Sequence, residues 1–140
     1  MVAIPIRNAT TSVRSSGQCA PLATPTYQLP LASTSTLTFN LNGAGETLYV
    51  DFSNGSPLPS GNLTLNCAPG GGDELRILAA ATTPALTMTD TQIGIAGQPA
   101  VVYNNVSTLS LFGCTVNYTG SLSSIDNLII GVGTWFDWTT

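Results

Sequence analysis

The stretch TLTFNLNGAGETLYVDFS, residues 36–53, carries the reading of the fold. Leu37, Phe39 and Leu41 share one parity, with Thr36, Thr38 and Asn40 between them. Beyond Asn42-Gly43-Ala44-Gly45, Leu48, Val50 and Phe52 resume the alternation, while Tyr49 and Asp51 point the other way. Side chains alternate across a strand with period two, so each run is a strand with one buried face. Two such runs around a short connection of Asn and Gly, residues that accept positive φ cheaply, predict a β-hairpin.

From Ser33 onward, similar runs recur at the spacing of roughly 8–12 residues that marks an all-β sandwich or barrel. Leu63 and Leu65 alternate with Thr64 and Asn66 up to Cys67, and Leu75 and Ile77 oppose Glu74 and Arg76. The pairs Leu86/Met88, Ile93/Ile95 and Leu109/Leu111, the run Ala100–Tyr103, and the set Cys114, Val116 and Tyr118 continue the series. Asn127–Val132 is the next apolar run, and Trp135-Phe136-Asp137-Trp138 closes the chain. The one helix candidate, Leu75–Ala81, is cut short by Thr82-Thr83-Pro84, and an isolated helix of that length is marginal. The expected fold is therefore all-β, an antiparallel β-sandwich of jelly-roll-like type with about eight to ten strands over residues 34–140. No sequence repeat at a fixed period is visible.

Residues 1–33 differ from the rest. Pro5, Pro21, Pro25 and Pro30 recur among Ser, Thr and Ala. Proline fixes φ and removes a backbone donor, which disfavours helix and central strand alike. The segment reads as an extended N-terminal arm, with a disordered tail as the alternative. Val2, Ile4 and Ile6 alternate ahead of Arg7, so the tip has apolar side chains to bury as an added strand.

Charge separates the function classes. Only 7% of the residues are charged, against about 25% in an average soluble protein. There is no lysine or histidine, the basic residues are Arg7, Arg14 and Arg76, and the formal net charge is -4. Nucleic-acid binding needs several cations to neutralise phosphates, so it is excluded as the main role. No apolar run approaches the ~18 residues of a membrane-spanning helix. Without histidine there is no Ser-His-Asp triad and no imidazole metal ligand; without lysine there is no Schiff base and no phosphate-loop lysine.

Gly70–Gly72 precedes a strand and lacks a following Lys-Ser/Thr, so it reads as a turn. The acids Glu46, Asp51, Asp73, Glu74, Asp90, Asp126 and Asp137 are scattered and read as a solvated surface rather than a catalytic dyad. Asp73-Glu74 beside the glycines falls short of the six or so oxygens of a calcium site. No catalytic residue, cofactor or metal site is expected. The cysteines, Cys19, Cys67 and Cys114, are odd in number and lack metal spacing. Cys67 and Cys114 continue strand alternations and read as buried free thiols, with a bridge between them left open.

A surface solubilised by Ser, Thr, Asn and Gln repels its own kind weakly and suits close packing in an assembly. Both tryptophans lie in the last run. By parity Phe136 and Trp138 share one face and Trp135 and Asp137 the other, so one core cannot take all three aromatics. Aromatics dominate interface hot spots. The expected interface residues are Val2, Ile4, Ile6, Arg7 and Arg14 in the arm, with Trp135, Phe136 and Trp138 at the C-terminal end.

The Met-initiated start without a visible signal peptide, the Pro/Ser/Thr-rich arm, the small β domain and the uncharged polar surface give the chain its character. In these respects it resembles the small, β-rich head decoration (cement) proteins of tailed bacteriophages. That resemblance covers overall character and matches no specific motif. It implies a structural virion protein, synthesised in the host cytoplasm, on the outside of the capsid. Its partners would be the major capsid protein and copies of itself as a dimer or trimer, neighbouring subunits being bridged through its termini. The rival readings are a tail or fibre module or a lectin-like sandwich that recognises host surface glycans, with Tyr103 or Tyr118 exposed for the sugar.

Overall fold

The two runs flanking Gly43–Gly45 are strands, and they do not pair with each other. In the computed structural model, β5 (Leu37–Leu41) and β6 (Thr47–Asp51) belong to different sheets. The structure describes residues 33–79, 85–121, 125 and 127–139, together with the backbone of strands at 2–3, 6–7, 10–15 and 26–30. The side chains of residues 136, 138 and 139 are not among those described, and Ile4 lies outside the described residues altogether.

In the N-terminal segment the described strands are β1 (Val2–Ala3), β2 (Ile6–Arg7), β3 (Thr10–Ser15) and β4 (Thr26–Pro30). After β6 come β7 (Leu63–Cys67), β8 (Glu74–Leu78), β9 (Leu86–Met88), β10 (Gln92–Ile95) and β11 (Val101–Asn104). The chain closes with β12 (Thr108–Phe112), β13 (Thr115–Thr119), β14 (Asn127–Ile130) and β15 (Trp135–Thr139). An eight-stranded sheet runs β14-β12-β8-β6-β1-β3-β2, with β4 also on β3. The opposing seven-stranded sheet runs β15-β13-β9-β10-β11-β7-β5.

The all-β class holds, and the antiparallel, jelly-roll-like pairing does not. From β5 onward the chain alternates between the sheets, except for the meander β9-β10-β11 within one of them. Outside the meander, successive strands of a sheet lie parallel, β6 on β8, β8 on β12 and β12 on β14 in one and β5 on β7 and β13 on β15 in the other, while β7 and β13 lie parallel to the two outer meander strands, β11 and β9. Parallel neighbours need a long crossover, and here the crossover is the strand in the facing sheet. Antiparallel pairing is confined to the meander and to the N-terminal strands, where β3 pairs with β1, β2 and β4.

A period-two pattern with a glycine connection fits a hairpin or an arch equally well, because both bury one face of each strand. Hydrogen bonds decide for the arch. The connection at residues 42–46 stacks on the one at 68–73: Gly45 N–H donates to Gly71 O (2.7 Å), and Glu74 N–H to Glu46 O (2.8 Å). These bonds satisfy turn amides that a hairpin would leave to its own loop. The repeat escapes the eye because its length varies. Asn40 and Asn66 are 26 residues apart, Thr47 and Glu74 27, and Asn66 and Asn104 38.

The core lies between the sheets. Leu48, Val50, Leu75, Ile77, Leu109 and Leu111 from one meet Leu63, Leu65, Leu86, Met88, Ile93, Val101, Tyr103, Val116 and Tyr118 from the other. The run around Leu75 is β8, with Glu74 and Arg76 on its outer side, rather than a helix.

Candidate functional site

Charge is concentrated at two places in the arches, and both are structural. On the outer face of the larger sheet, Arg76 holds Glu74 through Nη2 at 2.8 and 2.9 Å and donates from Nη1 to the Tyr49 hydroxyl at 3.1 Å. Its guanidinium lies 5.0 Å from the Tyr49 ring centre and 5.8 Å from that of Phe112, close enough for a cation–π attraction. The Ser110 hydroxyl donates to Glu74 as well, so the cluster ties β6, β8 and β12 together.

The second place corrects the reading of the acids as a solvated surface. Asp73 is fully buried. Its Oδ1 accepts from Glu46 N–H at 2.9 Å, and its backbone carbonyl accepts from Ser107 and Thr108, both at 3.1 Å. Asp73 thus pins three successive arches. Its Oδ2 is buried with no hydrogen-bond partner among the described residues, and the Cys67 thiol interacts with this carboxylate. Burial pushes that thiol up to about 12, helped by the charge of Asp73, its hydrogen bond to that carboxylate and the charge of Glu46. Gly71 relieves crowding here: a Cβ on it would lie 3.0 Å from Asp73 Oδ2 and 3.2 Å from Gly43 O, tighter than ordinary contact.

Cys67 and Cys114 are free and buried. Burial raises the Cys114 thiol too, against a hydrogen bond with Thr134 that lowers it. A thiol held protonated is a poor nucleophile and a poor metal ligand. Among the described residues, no group of three or more His, Cys, Asp or Glu is placed to hold a metal ion.

The tyrosines assigned to a glycan site are inside. Tyr103 donates to Thr89 O at 2.6 Å and its hydroxyl is pushed up, first by burial and then by Tyr118 and Asp90. Tyr118 is equally buried and donates to Asp90, whose other oxygen accepts from the Ser121 hydroxyl at 3.2 Å. Neither tyrosine can stack on a sugar.

What remains is the C-terminal end, where both sheets stop. β14 and β15 are their last strands, joined by the turn at residues 131–134. All the exposed large hydrophobic residues among the described ones lie here: Ile129 (40% exposed), Ile130 (41%), Val132 (97%) and Trp135 (78%). The turn is rigidly placed. Gly131 N–H donates to Leu111 O at 2.8 Å, Thr134 Oγ1 donates to the same carbonyl at 3.2 Å, and Trp135 N–H donates to Cys114 O at 2.9 Å. A Cβ on Gly131 would fall 2.0 Å from the Phe112 ring, so only glycine lets that ring pack over the turn.

Of the expected interface residues, Trp135 is on this exposed end. The backbone register sets Phe136 beside Val116 and Trp138 beside Tyr118. Val2, Ile6, Arg7 and Arg14 lie in β1–β3 at the other end of the larger sheet, with Val2 paired in parallel to Leu48 of β6. The two groups are not brought together. The sequence reading missed Ile129, Ile130 and Val132, although NLIIGVGTW (127–135) lacks the charges and prolines that usually protect an edge strand. It also missed the ladder in which Asn104 donates to Asn66 (2.8 Å) and Asn66 to Asn40 (2.9 Å). Asparagine at the same place in three strands was its signal. No family model, curated protein or solved structure matches this chain.

Proposed function

We propose that this protein is a non-enzymatic structural component of a larger protein particle, a capsid-decoration protein on the virion surface, and that it docks through its terminal strands. The observation that carries the reading is the concentration of exposed apolar side chains at residues 129–135, on the strands that end both sheets among the described residues. Unpaired strand edges with apolar side chains are templates for another chain, and folded proteins normally blunt them. The sparse charge adds to it, since only 7% of residues repel or attract at long range. The major capsid protein is the partner this reading names, with the N-terminal segment reaching it.

The test is co-sedimentation of the purified chain with particles from the cells that make it. Saturable comigration that is lost on deletion of residues 1–16 is the expected result. A chain that stays at the top of the gradient at every concentration contradicts the proposal.

A further inference from the structure

We infer that the occupant of the C-terminal end is a second copy of this chain, related by a two-fold axis through Ile129, so that the larger sheet continues from β14 of one copy into β14 of the other. This rests on reading that end as a docking surface. The edge of β14 is self-complementary. Two identical strands that pair antiparallel about a two-fold axis bring position i opposite position j with i plus j constant, and a residue on the axis meets itself. With Ile129 on the axis, Ile129 meets Ile129 on the outer face. On the inner face, Leu128 of each copy meets Ile130 of the other.

Every cross-strand pair near the axis is then apolar, the combination that stabilises a sheet. The partly buried Leu128 and the 41% exposed Ile130 gain the neighbour that Leu109 and Leu111 already have on both sides. No charged residue occurs from 127 to 136, so two copies bring no like charges together at the axis.

The other edges fit a second copy less well. A two-fold axis through the centre of β15 would set exposed Asp137 against its own copy, and directly opposed like charges destabilise a sheet. On β5, Leu37 and Phe39 already pack against the core, and the Asn40 side-chain Oδ1 already accepts from Asn66 Nδ2. A four-residue strand pair is small beside the roughly 800 Å² per partner of a stable interface. Val132 and Trp135, which flank β14 on the same end, supply the remaining contact. The N-terminal strands at the far end of the larger sheet stay clear of this joint, free for a different protein.

Sedimentation equilibrium of the full chain reads the oligomeric state, and Ile129→Cys in a Cys19→Ser background reads the axis. The expected result is a dimer that Ile129→Glu converts to a monomer of unchanged circular dichroism. Mild oxidation should crosslink the Ile129→Cys chain to a dimer, while Thr87→Cys on the outer face of the other sheet stays monomeric in denaturing gels. A wild-type monomer at all concentrations overturns the inference, as does a dimer that Ile129→Glu leaves intact. The two proposals fail separately. A monomer that still cosediments with particles removes the second copy and leaves the assembly role standing. A dimer that ignores particles does the reverse.

Discussion

β8 and β14 are the two neighbours of β12, and their residues occupy equivalent positions. Leu75 and Leu128 both pair with Leu109, Ile77 and Ile130 with Leu111, and Arg76 and Ile129 with Ser110. Their surroundings differ. β8 has β6 on its other side, its two inward residues are sealed, and its outer face carries the Glu74–Arg76 pair. Among the described residues β14 has no strand on its other side, leaves Ile129 and Ile130 partly exposed and carries isoleucine where β8 carries arginine. A strand with the composition of an interior strand has been placed at an edge. On the proposed reading, another chain finishes such an edge.

The largest expected effect lies on the sealed side of that comparison. Leu75→Ala should cost about 3 kcal/mol, the usual size for a leucine truncated in a close-packed core. Leu128→Ala, at the equivalent position of β14, should cost about 1 kcal/mol in the monomer. Urea unfolding of both variants below the association range checks the contrast, and equal losses would break it.

Asp73, at the entrance to β8, comes next. Asp73→Ala removes the acceptor for Glu46 N–H and should cost about 2 kcal/mol, the penalty for a buried donor left unpaired. Asp73→Asn keeps an accepting oxygen and should lose clearly less in the same assay. At the exit from β14, Gly131→Ala forces a methyl group into the Phe112 ring and should cost about 2 kcal/mol by overpacking. It should weaken association as well, because it displaces the edge.

Cys67 sharpens the comparison through pH. Its thiol titrates higher in the folded chain than the ordinary value of 9.0, so the unfolded chain loses its proton first as pH rises. The stability this provides is complete below about pH 9 and declines as pH climbs towards about 12. Urea midpoints measured across that range should fall more steeply for the wild type than for Cys67→Ala. Parallel curves would mean that the thiol is not held as described.

Much of this architecture was legible in the residues. Every strand from β5 to β15 falls on a run in which apolar residues alternate or cluster, because burial on one face imposes period two whatever the partner. Pairing was not legible. The 36–53 stretch reads as a hairpin because alternation records which face is buried and carries nothing about which strand lies alongside. The bonds that make it an arch, Gly45 to Gly71 and Glu46 to Asp73, join residues far apart in the chain. Asp73 was read as surface for the same reason, since its partners come from other turns. At the C-terminal end Trp135 was found by its residue type. Ile129 and Val132 look like core residues until the sheet order makes β14 an edge.

The smallest expected effects on stability fall on that edge. Ile129→Glu and Trp135→Ala should each change the monomer by no more than about 0.5 kcal/mol, as surface substitutions usually do. Both should abolish association in sedimentation velocity. Loss of fold in either variant would return its residue to the core.

The most direct measurement is amide hydrogen exchange on the full chain, dilute and then concentrated into the associated state. The account predicts that new protection on association appears at residues 127–135 and leaves the amides of β5, β7 and β8 unchanged. Protection that rises elsewhere while residues 127–135 exchange as fast as before would contradict it.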